Sequence, residues 1–403
     1  MGLRIGVCGA GGFAGAFIPL FRAHPDVSEV CIAEVLPDRR KEQAKLFGIE
    51  RTFESLEALC RSDVDAIAIF TQRWMHGPQA VQALKAGKHV YSAVPAAISV
   101  QEVEQLLEAA KSTGLTYMVG ETSYYYPSTI YCRKRFAAGD FGPFVFGEAE
   151  YLHDMSLGFY EAYQHSGGPD WKKTASFPPM LYPTHSVSMI LSVTGAHMTE
   201  VSCMGYRDRL GDGVFDEKVS MWKNALSNET ALMRTSDGGM ARINEFRRVG
   251  YNGYPEPEVR MSLFGTNGSF ESQTRAQSWN TVGGQFEDVT AQLKVRRDHQ
   301  KLQGTAEYEQ VPPALRAGFF SGISAVHDVA RLPRQFAGLN NGHEGSHQFL
   351  VLDFIEAILS GKHAPNNAWF AARCCLPGIT AHESALKGGV LLKVPDYGDA
   401  PAR

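Results

Sequence analysis

Leu3-Arg4-Ile5-Gly6-Val7-Cys8-Gly9-Ala10-Gly11-Gly12-Phe13-Ala14-Gly15 decides the fold, because an apolar strand runs directly into a glycine-rich turn and then into a helical pattern. Gly9 permits the tight turn and Gly11 lets the backbone approach a pyrophosphate. Ala14 fills the third fingerprint position, where a small residue keeps helix and strand close. Gly9, Gly11, Gly12, Phe13 and Ala14 therefore read as a dinucleotide-binding loop. The pyrophosphate is expected on the N–H groups and positive dipole end of one helix over 13–23. A second strand, Glu29-Val30-Cys31-Ile32-Ala33, ends at Glu34. An acid about 20 residues beyond the last glycine accepts hydrogen bonds from the adenosine ribose and repels a 2′-phosphate, which favours NAD. Arg39 or Arg40 can reach a 2′-phosphate, so NADP is the lesser alternative; their plainer reading is a solvated helix start after Pro37-Asp38.

Working outward, strand-like and helix-like segments alternate to about residue 120. The strands are 65–70, 89–92 and 115–119, and the helices between them are 77–86 and 100–112. Such alternation specifies a doubly wound parallel sheet. Beyond Tyr124 the texture changes. Ser236-Asp237-Gly238-Gly239 and Thr266-Asn267-Gly268 are flanked by strand formers and read as hairpin turns of an antiparallel sheet, with strands over 142–152, 200–206, 229–235, 240–246 and 259–264. The expectation is an α/β protein with a dinucleotide-binding domain over 1–122 and a second domain over 123–403, whose last helices, 346–359 and 367–386, can pack back on the first. Residues 288–342 are polar and pattern-poor and read as a lid or an arm.

A chain of 403 residues exceeds what one core usually supports, in keeping with two domains. A net charge of -4 with scattered basic residues offers no stripe for nucleic acid and no membrane patch. No apolar run approaches the ~20 residues that cross a bilayer, and the first strand begins at once without a charged leader, so the expected location is cytoplasmic. The seven cysteines show no C-x-x-C pair and mostly lie in apolar runs, as reduced core thiols do. No metal-ligand spacing is present, so no metal is expected.

Four local patterns resemble the Gfo/Idh/MocA superfamily of sugar dehydrogenases over nearly the whole length. They are the glycine turn; Thr71-Gln72-Arg73-Trp74-Met75-His76; Ala86-Gly87-Lys88-His89-Val90 leading to Pro95; and Ala381-His382-Glu383-Ser384-Ala385 before a last strand. The resemblance implies a Rossmann domain followed by a C-terminal α/β domain with a large open, mainly antiparallel sheet. It also implies homodimers or homotetramers formed through that sheet, and cofactor contacts from Thr71, Gln72, Trp74, His76, Val94 and Pro95. Two departures stand out. Where members carry a proton-moving lysine in E-K-P, this chain has Ala93-Val94-Pro95, and where they place an aspartate four residues before a histidine, it has Leu181-Tyr182-Pro183-Thr184-His185. The pattern is similar to one branch, the NAD-dependent α-N-acetylgalactosaminidases, through Tyr182-Pro183-Thr184-His185, Tyr151-Leu152-His153-Asp154, Val94-Pro95-Ala96 and Glu121.

The chemistry follows from the residue types. Hydride leaves a sugar carbon only as its hydroxyl loses a proton, which requires a base in reach. His185 is the first candidate, and Tyr182 can anchor the substrate or share the proton. Tyr151 and His153 lie two apart on a strand, so both leave one face as an acid/base pair. Glu121, at the carboxyl end of a parallel strand, can bind the cofactor or act as a base. Trp74 can stack on the nicotinamide. The expected activity is NAD-dependent hydride transfer from a secondary hydroxyl of a sugar or glycoside. The alternatives are a redox-neutral glycosidase, which needs two acid/base groups on one sugar, and a catalytically silent sugar or nucleotide sensor.

Overall fold

The computed structural model describes residues 2–250, 258–272, 276–295 and 320–403. They fall into two compact units: Met1–Pro127 with Gln292–Ala372 and Tyr397–Arg403, and Ser128–Ala291 with Arg373–Asp396. The chain thus leaves the first unit near residue 127 and later returns to it.

The first unit is built on β1 (Leu3–Cys8), β2 (Val27–Ala33), β3 (Thr52–Phe53), β4 (Ala66–Ile69), β5 (His89–Ser92) and β6 (Tyr117–Val119), all parallel in the order β3-β2-β1-β4-β5-β6. The near-continuous apolar character of β1 and β4 fits strands covered on both faces. The first crossover differs from expectation. In place of one helix over 13–23 there are two short ones, Gly12–Gly15 and Ile18–Ala23. Pro19 stands in the first turn of the second, has no amide hydrogen to give and clashes with a helical carbonyl four residues back, so a single ladder cannot run through it.

Residues 320–342 are not an arm. Ile323, Val326, Leu332 and Phe336 are buried in the first unit. His327 Nε2 lies 2.9 Å from the Tyr125 carbonyl, and Arg331 pairs with Asp353, whose carboxylate also accepts from the Tyr125 hydroxyl. Apolar residues at irregular spacing among polar ones hid this packing from periodicity. The rest of the lid expectation, 296–319, lies outside the described residues.

The second unit carries β7 (Phe144–Leu152), β8 (Met198–Arg207), β9 (Leu226–Thr235), β10 (Met240–Phe246), β11 (Val259–Gly265), β12 (Gly268–Ser272), β13 (Gln277–Thr281), β14 (Phe286–Asp288) and β15 (Leu392–Lys393). Their order is β14-β13-β12-β11-β7-β10-β9-β8-β15, antiparallel except for β7 with β10. The two glycine turns at 236–239 and 266–268 join β9 to β10 and β11 to β12, as their residues predict. Helix Thr184–Thr194 packs on β7, β10 and β11. Among the described residues no helix is long and apolar enough to cross a membrane.

Candidate active site

In the first unit, Gly9 has φ +86, and a Cβ there would stand 2.9 Å from the carbonyl carbon of Phe70, so only glycine fits. Gly11 and Gly12 are the opposite case: among the described residues an added Cβ would meet nothing within 4 Å. That open space over two consecutive backbone positions is where a diphosphate would lie, and it fits a dinucleotide. Because the helix after the turn is only four residues long, its dipole is small and the loop N–H groups carry that role. Phe13 packs edge-on against Phe17 and Phe70, and Ala14 is fully buried.

Glu34 is buried, and its carboxylate accepts from the amides of Ala10 and Leu36, each at 3.0 Å. It therefore ties the glycine turn to the end of β2. Arg39 approaches the carboxylate at 4.0 Å and Arg40 donates to the Glu34 carbonyl at 2.7 Å, so both arginines gather on Glu34 in place of a solvated helix start. A carboxylate held here favours ribose hydroxyls over a 2′-phosphate.

His76 is fully buried, with Nδ1 3.0 Å from the Pro95 carbonyl and Nε2 3.0 Å from the Thr71 carbonyl. Burial pushes it down to about 4, so the ring is neutral and donates to one carbonyl at a time while it staples the 71–76 turn to the Val94-Pro95 segment. Thr71 shares its hydroxyl with Gln79, Gln72 immediately precedes the 3₁₀ turn Arg73–Met75, and Trp74 within that turn is half-buried. Val94 and Pro95 are buried. Glu121, wholly buried just after β6, accepts from the Ser123 amide at 2.9 Å.

The second unit brings four of the five sequence candidates together. The Tyr151 ring stands 5.4 Å from His153, 5.2 Å from His185 and 6.0 Å from Tyr182, and Tyr182 is 5.5 Å from His185. Three of these contacts are edge-on, the favoured aromatic arrangement. His153 stacks on Phe159 at 3.9 Å, and its Nε2 lies 3.5 Å from a Glu258 carboxylate oxygen. Asp154 stands apart, accepting from Ser156 and the Val249 amide.

Behind this cluster is a pair that sequence reading missed. Glu245 is fully buried, accepts from the Ser186 hydroxyl and from Arg247 Nη2 at 2.8 Å, and interacts electrostatically with His185. Arg247 in turn lies over the Tyr151 ring, 4.8 Å from its centroid. Burial drives the Glu245 carboxyl up to about 7, against the opposing pull of Arg247 and the Ser186 hydrogen bond. Its parity with Ala241 and Ile243, both fully buried on β10, is the signal that marks an inward-facing acid. Glu229, two residues before the buried Ala231 of β9, repeats the pattern: it is fully buried and is bound by the Met180 amide and by His382, each at 2.8 Å.

Residues 3–121 match the family described as oxidoreductase, NAD-binding Rossmann fold. That match covers the dinucleotide-binding part, under a third of the chain. A glycosyl hydrolase family 109 protein of Saccharopolyspora erythraea is 27% identical over 299 residues, 67% of this chain and 62% of its own length. The match thus spans less than two thirds of that relative. Another protein of that description, from Solibacter usitatus, is 25% identical across 428 aligned positions, 98% of this chain and 88% of its own length. The structure of levoglucosan dehydrogenase in complex with NADH and levoglucosan is similar with a TM-score of 0.72 at 19% identity, covering 98% of this chain and 100% of that one. This is a likeness of fold.

Proposed function

We propose that this protein is an NAD-dependent enzyme that removes hydride from a hydroxyl-bearing carbon of a sugar or glycoside. The observation that carries the reading is the convergence of Tyr151, His153, Tyr182 and His185 on one side of the β7 sheet, in a chain that also holds the open glycine turn and Glu34. When bound, NAD⁺ takes up the hydride. His185 is assigned as the base for the hydroxyl proton, and Tyr182 as its neighbour that orients the oxygen or shares the proton. With Val94 in the place of a lysine, an ammonium is not available there, and imidazole and phenol groups do the proton transfer. Glu121, Gln72 and Trp74 of the first unit are assigned to the cofactor side.

Glycoside cleavage is the second reading, favoured by the second acid/base pair and by the glycosyl hydrolase relatives. Oxidation of a ring hydroxyl to a ketone makes the neighbouring C–H acidic. Tyr151 with His153 would then remove that proton and help the glycosidic oxygen leave, after which water adds and the ketone is reduced again. The two readings separate on aryl glycosides with NAD⁺: NADH formed in proportion to substrate means dehydrogenation, whereas phenol release with a trace of NAD⁺ means cleavage.

Self-association as a homodimer or homotetramer belongs to the same proposal. The sheet face opposite Ile243 carries the ion pairs Arg242–Glu148 and Arg260–Glu150 beside Met204, Leu232 and Met240, which are 72%, 59% and 53% exposed. A reducing compartment, the cytoplasm, suits the seven cysteines, six of them buried thiols.

A further inference from the structure

We infer that His343 contacts the diphosphate of the bound dinucleotide, donating from its outer ring nitrogen, and that His347 sets the position of that proton. The inference rests on the NAD reading above, and every residue in it belongs to the first unit.

Three observations lead there. The helix Gly342–Ser360 begins with a stretch that is not helical: His343 has φ 47, Glu344 φ 55 and Gly345 φ 87. Left-handed backbone is unfavourable for His and Glu and persists only where surrounding structure over-determines it, which happens most at functional sites. The surroundings here do so, because a Cβ on Gly345 would lie 2.0 Å from the Gly322 carbonyl oxygen and a Cβ on Gly322 2.1 Å from that of Asn341. Second, the exposed His343 ring stands 5.4 Å edge-on from Phe13, the residue that follows the open Gly11-Gly12 pair. His347 is on the same phenyl at 5.7 Å and on Phe17 at 4.3 Å, so the segment forms one wall beside the glycine turn.

Third, the two imidazoles share a hydrogen bond of 2.9 Å between His347 Nε2 and His343 Nδ1. His347 is 2% exposed, and among the described residues its Nδ1 has no partner. Burial holds this ring neutral. A proton on Nδ1 would be a buried N–H without an acceptor, a rarity in folded proteins. The proton therefore sits on Nε2 and is donated to His343 Nδ1. That bond fixes the tautomer of His343 with its own hydrogen on Nε2, the outer edge, where it serves as a donor to a phosphate oxygen.

The test is NADH binding, followed by nicotinamide fluorescence, with ADP-ribose as competitor. His343→Ala is expected to weaken both ligands about tenfold, the effect of one lost hydrogen bond to a charged group. His343→Gln, which restores an N–H donor, should recover most of that loss. Wild-type affinity in the alanine variant overturns the inference, as does a glutamine variant no better than alanine when all three proteins melt alike. If the unmodified protein binds no NADH, the cofactor reading fails and takes this inference with it; the two failures are thereby distinct.

Discussion

Glu245→Gln is the perturbation whose size follows most directly from the structure. The native carboxyl is raised from 4.5 to about 7, so the folded protein holds this proton more tightly than the unfolded chain does. Stability from this group is therefore complete below pH 4.5 and is lost as pH rises toward 7, because the unfolded chain ionises first. Between pH 5 and pH 8 the loss amounts to about 2.5 kcal/mol, from 1.36 kcal/mol for each pKa unit. Glutamine cannot ionise, and its amide can still accept from Arg247 and meet Ser186. The variant should thus gain about 2.5 kcal/mol relative to wild type over that interval, whatever its offset at pH 5. Urea unfolding of both proteins at several pH values measures this directly, reading Trp171, Trp222 and Trp279 of the second unit. The competing view treats Glu245–Arg247 as a buried ion pair whose breakage costs about 3–5 kcal/mol at neutral pH. A difference that is flat with pH, or that turns against the variant as pH rises, refutes the linkage argument.

Further outcomes are expected from the two units separately. His185→Ala should lower kcat by about 10²–10⁴-fold with NADH affinity unchanged, as measured by steady-state rates beside fluorescence titration. Glu34→Gln keeps an acceptor for only one of the Ala10 and Leu36 amides, which bind different carboxylate oxygens, and removes the charge, so the ratio of NADP to NAD affinity should rise on the order of tenfold in competitive titration. Gly9→Ala forces a side chain into φ +86 and against Phe70; it should cost at least about 1–2 kcal/mol in a thermal melt and weaken NADH binding.

Much of this architecture was legible because its signals are local. Six strands alternating with helices, a glycine turn at the head of the first helix and two hairpin turns each lie within a few residues and need no partner to be recognised. Tyr151 and His153 are two apart in sequence and their rings stand 5.4 Å apart, although β7 ends at Leu152 and His153 lies just beyond it. What escaped depends on residues distant in the chain. Glu245 becomes unusual only when Ser186 is brought to it from 59 positions away, and Glu229 only through His382, 153 positions on. Apolar spacing continues through Pro19 and predicts one helix over 13–23, which the missing amide of that residue divides. The buried side chains of residues 320–342 follow no period, so the sequence predicts an arm, whereas His327 and Arg331 bind this segment to Tyr125 and Asp353.

The central claim is that a ring carbon gives up hydride to the nicotinamide while a histidine takes the hydroxyl proton. Rapid mixing of the NAD⁺-loaded protein with a panel of sugars and aryl glycosides, followed by the near-ultraviolet absorbance of reduced nicotinamide, tests it within a single turnover. That absorbance is expected with at least one sugar class, slowed by deuterium at the oxidised carbon and abolished by His185→Ala. Reduced nicotinamide that never appears with any of them, in a protein shown to bind NAD⁺, would contradict it.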